Sequence, residues 1–202
     1  GGKFFESSFG MDYHTGLIAV SAVVVAYTLF GGFLAVSYTD VIQGIIMLVT
    51  LIAVPVIGIF VTGGIGETID SIKAVDPEML SLLPATASAA AIISSLAWGL
   101  GYFGQPHIIV RFMAISSVKE TKSARRIGVG WMILSLLGGI ATALVGVAYF
   151  QQQTAELKEA ETVFIVLGQI LFHPFIAGIV LAAILAAVMS TISSQLIVTS
   201  SA

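Results

Sequence analysis

The sequence has no cysteine, and Asp, Glu, Lys and Arg together make up only 9% of its 202 residues. Without cysteine, a disulfide framework and a thiolate metal site are both excluded, and nothing about redox compartment follows. The scarcity of charge excludes an ordinary soluble domain, in which roughly a quarter of the residues are charged. A net charge of −3 offers no clustered basic face of the kind that nucleic acid requires. Histidine is scarce too: His14, His107 and His173 are scattered without metal-ligand spacing and read as boundary residues. There is no Ser–His–Asp arrangement, HExxH motif or phosphate-binding glycine loop, so enzymatic activity is not expected. No short-period repeat is present. The chain opens "GGKFFESSFG" without an initiator methionine or signal-peptide pattern and stops inside an apolar helix, so it reads as a fragment.

What is abundant is oil. Hydrophobic residues make up 57% of the chain and the mean hydropathy is +1.05, which points to an integral membrane protein. A helix crossing the hydrocarbon needs about 20 mostly apolar residues. Five segments qualify, and the chain (1–202) reads as a single transmembrane unit: A, about Thr15–Val36; B, about Asp40–Val61; C, about Ala89–Met113; D, about Ile127–Phe150; and E, about Pro174 to residue 202. "ETVFIVLGQILF" (Glu161–Phe172) is too short to span and fits an interfacial or re-entrant helix. The loop between C and D carries Arg111, Lys119, Lys122, Arg125 and Arg126, so it belongs on the cytoplasmic side. Alternation then runs A inward, B outward, C inward, D outward and E inward, with the more acidic B–C and D–E loops outside.

Asp40 is the only acidic residue within or at the edge of a span. Two readings stand: a helix N-cap at the start of B, or a functional carboxylate, because ionisable groups in a membrane mark function. Helix E starts outside near Pro174, so Ser190 lies ~24 Å further in, at a depth similar to Asp40. At ~100° per residue, with Ser190 at zero, Ala187 falls near ~60°, Thr191 near ~100°, Ser194 near ~40° and Ser193 near ~−60°. One broad face carries all five residues. Isolated hydroxyls in spans commonly back-bond to the preceding turn or permit close packing. A dense hydroxyl face beside a carboxylate also supplies hard oxygen ligands suited to an alkali cation. In helix C, Trp98, Tyr102 and Pro106 form one stripe at i, i+4, i+8, interleaved with Gly99, Gly101 and Gly104. That stripe is either aromatic packing with a proline kink or the wall of a cavity in a loosened helix. Gly31-Gly32 reads as close packing.

The stretches "YTLFGGFLAVSYTDVIQ", "WGLGYFGQPHIIVRFMA", "ARRIGVGWMILSL", "AYF" and "ILAAVMSTISSQLIVTSSA" resemble the sodium/solute symporter family, and within it the members that carry proline. The resemblance implies an all-α fold of two inverted five-helix repeats, with A to E standing as core helices 4 to 8, in the in–out order that the charges give. It implies a main sodium site to which this chain contributes Ala187, Ser190 and Thr191. A possible second sodium site, as in some members, would use Asp40, Ser190, Ser193 and Ser194. The proline carriers it resembles have cysteine at the position of Ser194, so one or two sodium ions per cycle both stay open. Trp98, Tyr102 and Pro106 are then the substrate residues, and Arg111 contributes to the inner gate. The implied activity is sodium-coupled symport of L-proline at the cytoplasmic membrane, with sodium as coupling ion and no organic cofactor. Another amino acid or a carboxylate is the alternative substrate, and a channel or structural subunit the alternative class. Membrane lipid and the remaining helices of a full-length carrier are the implied partners. Transport by these 202 residues alone is not expected.

Overall fold

The computed structural model describes residues 1–82, 88–101, 104–157 and 159–201, with Trp98, His107, Val110 and Ser201 described as backbone only. Among the described residues every regular element is helical. The helices are α1 (Gly2–Phe9), α2 (Tyr13–Val61), α3 (Ile65–Val75), α4 (Ala89–Gly101), α5 (Pro106–Met113), α6 (Val118–Gln153), α7 (Val163–Leu171) and α8 (Pro174–Ser201). Three of them, α2, α6 and α8, are long and apolar enough to cross a membrane.

At 49 residues α2 would be ~74 Å long as one rod, more than twice the hydrocarbon thickness. It breaks at Gly32, where φ is 56° and ψ −159°, into limbs 13–31 and 33–61. That conformation is open in practice only to glycine. A β-carbon on Gly31 would lie 2.3 Å from that of Ala35, so the break demands a glycine on both counts. The pair is therefore a bend and not the packing contact that its position in an apolar run suggests. The polar stretch from Ser37 to Asp40 stays helical, because Ser37 Oγ and Thr39 Oγ1 donate to Phe33 O and Val36 O. The helix start is capped elsewhere: Asp12 accepts from the N–H groups of His14 and Thr15.

In lipid, helices gain little from burying apolar area against one another, so they associate by close approach at small residues. The second limb of α2 and α6 do this in parallel. Trp131 Nε1 approaches Gly44 O at 3.5 Å. Seven residues further along both helices, Gly138 faces Leu51 so closely that a β-carbon would come within 2.8 Å. Seven further again, Gly58 faces Val145 at a corresponding 2.3 Å. A seven-residue register between parallel helices is that of a left-handed supercoil. Val54, Val145, Leu167 and Val180 close the core where α2, α6, α7 and α8 meet. Since Val54 clusters with Val180 while Asp40 lies near Ser194, the second limb runs antiparallel to α8.

At the far end of this pair, Thr62 and Thr68 share a 2.7 Å hydroxyl contact, and Gln152 Nε2 donates to Thr62 O and Ser71 Oγ. These bonds fasten α3 across the ends of α2 and α6. The opposite end of α6 is free: residues 118–129 are all exposed, and Lys119, Lys122, Arg125 and Arg126 make no ion pair among the described residues. On the α3 side α1 is tied to the loop before α7 by Lys3, which pairs with Glu159 at 2.6 Å. That bond raises the Lys3 ammonium above its ordinary pKa. The segment expected as one helix over 89–113 is two: α4 ends at Gly101 and α5 begins at Pro106, which has no N–H to continue a ladder. Every described side chain of α4 is exposed.

Candidate functional site

Asp40 lies two turns into the second limb of α2, in unbroken helix, so its carboxylate is not spent on a cap. Its side chain is only 10% exposed. One oxygen, Oδ2, accepts from Arg111 Nη2 of α5 at 2.5 Å. The same nitrogen donates to Ser194 Oγ of α8, also at 2.5 Å. A single guanidinium nitrogen thus joins three helices, and it contacts two of the oxygens that depth and helical phase singled out. The other carboxylate oxygen, Oδ1, is buried with no partner, and so is Gln43 Oε1. Gln43 follows Asp40 by three residues, which puts the two side chains on one face of α2. An orphaned buried acceptor costs about 1–3 kcal/mol. Two of them side by side mark a place built for a donor or a cation.

The hydroxyls of α8 form a ladder. Ser190 Oγ and Thr191 Oγ1 both donate to Ala187 O, at 3.1 and 3.0 Å. Ser193 Oγ and Ser194 Oγ both donate to Ser190 O, at 3.1 and 2.7 Å. Each hydroxyl gives its proton to the preceding turn and keeps its lone pairs for another donor or a cation. Burial divides the ladder in two. Ser193 is fully buried, whereas Ala187 and Thr191 are exposed on a side that no described helix of this chain covers. Ala187, Ser190 and Thr191 therefore present three hard oxygens as an open half-shell. The donor chemistry fits an alkali cation, and the shell is closed only by ligands from outside these residues. Asp40 and Ser194 belong to a second, enclosed locus, and five residues before Ser194 the carbonyl of Met189 accepts from Tyr27 Oη of the first limb of α2 at 3.3 Å.

Of the expected substrate stripe, Pro106 sits at the start of α5 and is exposed. Tyr102 and the side chain of Trp98 lie outside the described residues. Sequence reasoning missed Gln43, although the i, i+3 spacing from Asp40 in "TDVIQ" is a usable signal. It also placed Arg111 at an inner gate without seeing that it reaches Asp40.

The length and hydropathy of α2, α6 and α8 define an integral, multi-pass α-helical membrane protein. The chain belongs to the sodium:solute symporter family, whose model matches residues 1–202. It is 64% identical over 201 residues to the high-affinity proline transporter PutP of Bacillus subtilis, covering all of this chain and 42% of the relative. It is 56% identical over 202 residues to the osmoregulated proline transporter OpuE of the same organism, again over all of this chain and 41% of the relative. To a sodium/proline symporter of Staphylococcus aureus it is 54% identical over 201 residues, covering all of this chain and 39% of the relative. The chain thus spans about two-fifths of the length of the curated relatives it matches. No solved structure matches it.

Proposed function

We propose that this chain is the central part of a sodium-coupled carrier that takes up L-proline across the cytoplasmic membrane by alternating access. The observation that carries the reading is the oxygen-lined face of α8, with Ala187, Ser190 and Thr191 open on one side and Ser194 joined to Asp40 through Arg111 on the other. Relatives named as proline transporters and sodium/proline symporters support the choice of ion and substrate. In this reading the chain crosses the bilayer five times, over about 15–36, 40–61, 89–113, 127–150 and 174–202, with 161–172 interfacial. Ala187 O, Ser190 Oγ and Thr191 Oγ1 bind the co-transported sodium ion, and helices outside these residues complete its shell. Asp40, Ser190, Ser193 and Ser194 form a second locus for the same ion. Trp98, Tyr102 and Pro106 form the substrate wall, with an apolar pyrrolidine ring against the aromatic faces and the zwitterionic head at the indole and phenol tips.

Coupling requires that sodium bind one conformer better than the other. The ladder supplies this. When Ser190 and Thr191 turn their lone pairs to the ion, α8 is held against the helix that provides the remaining ligands, and the proline-binding conformer is favoured. The test is uptake of labelled proline by the full-length protein in sodium against choline medium. Ser190→Ala or Thr191→Ala should raise the sodium concentration for half-maximal uptake roughly tenfold, about 1.4 kcal/mol for one oxygen ligand. Sodium dependence unchanged in both variants refutes the site.

A further inference from the structure

Asp40 is the only charged carboxylate on α2, and α8 carries no charged residue at all. Among the described residues, Arg111 is the only one that forms an ion pair with the Asp40 carboxylate. We propose that Arg111 is a tethered cation that trades places with the transported cation at Asp40 and Ser194, so that α5 is pinned to α2 and α8 when the ion is absent and released when it binds. This rests on the reading of the chain as part of a sodium-coupled carrier.

Three observations converge on an exchange. First, Arg111 Nη2 contacts Asp40 Oδ2 and Ser194 Oγ together, so the guanidinium occupies the spot where an ion would touch both. Two like charges cannot share one enclosed carboxylate cheaply, so one must leave as the other enters. Second, the guanidinium satisfies the pocket only in part. Asp40 Oδ1 and Gln43 Oε1 remain buried without a partner, and a small monovalent cation seated among these oxygens would satisfy what the planar fork cannot reach. Gln43 is then a further ligand of the enclosed locus. Third, α5 is held by little else. Apart from Ile108, its described side chains are exposed, and it is cut from α4 before Pro106 and from α6 after Met113. Half of the Arg111 side chain is itself exposed, which gives it somewhere to go.

The test uses the purified full-length protein in lipid vesicles without proline. Bound radioactive sodium is measured for the wild type, Arg111→Gln and Arg111→Lys, and hydrogen exchange of residues 106–113 is followed in sodium and in choline. Arg111→Gln should lower the sodium concentration for half-saturation by at least about fivefold, the lower end of ordinary coupling between two ligands. Arg111→Lys keeps the competing charge and should stay near wild type. Sodium should speed exchange over 106–113 in the wild type and leave it unchanged in Arg111→Gln, where the segment is already free. If Arg111→Gln does not fold, the wild-type exchange result decides alone. Unaltered or weakened sodium binding in Arg111→Gln, or an α5 indifferent to sodium in the wild type, overturns the exchange. Failure of the carrier reading shows separately, as wild-type proline uptake that ignores sodium.

Discussion

Gly32 shows how much one residue decides. Nothing lies within 4 Å of where its β-carbon would stand, so space is not the constraint. The constraint is φ 56° with ψ −159°. Gly32→Ala should cost about 1–3 kcal/mol and lower the apparent melting temperature of the full-length protein in detergent. Sequence could not separate this role from packing, because a Gly-Gly pair in an apolar run serves either. Asp40 and Ser194 fared better, since depth counted along two helices already put them level. Arg111 stands 71 and 83 positions from them. No periodicity reaches across such a separation, so its bond to Asp40 had to wait for the fold.

Among elements, the parallel pair of α6 and the second limb of α2 depends on glycines whose neighbours are too near for any side chain. Gly138 and Gly139 are adjacent, yet only Gly138 meets a partner, with Leu51 O 2.8 Å from its would-be β-carbon. Gly138→Val should destabilise the full-length protein by about 1–3 kcal/mol through overpacking. Gly139→Ala should be neutral, or stabilise slightly by helix propensity, and parallel thermal melts of the two variants compare them directly. A shared loss would mean the effect is not one of contact. The existence of these helices was legible from hydropathy alone. Which glycine faces inward was not, because both lie in one apolar run and the partner helix sets the phase.

Taken as a whole, the molecule has a simple lever for testing its orientation. These 202 residues contain no cysteine, so a cysteine placed at one of their exposed sites adds no background from this region. Ser123→Cys, in the basic first turns of α6, should react with an impermeant thiol reagent only from the cytoplasmic side. Gln153→Cys, at the other end of the same helix, should react only from outside. Labelling of both from one side would overturn the five-crossing arrangement. The parallel run of α6 with the second limb of α2, and the antiparallel run of α8, agree with the alternation expected from charge and length, while the exposed face of α4 depends on partners that no single sequence displays.

The 36 residues of α6 make a rod ~54 Å long, well beyond the ~30 Å of hydrocarbon. Its surplus is weighted at both ends, by Lys119, Lys122, Arg125 and Arg126 at one and by Gln151, Gln152 and Gln153 at the other. A slide of one turn toward the glutamine end would begin to draw Arg126 and Arg125 into oil, at about 2.5–3.5 kcal/mol for each charge that reached the centre. A slide the other way would submerge three amides and break the Gln152 bonds to Thr62 and Ser71. The helix is thus a post of fixed depth: it can tilt, but it cannot piston, and it sets the datum from which the travel of its neighbours is measured.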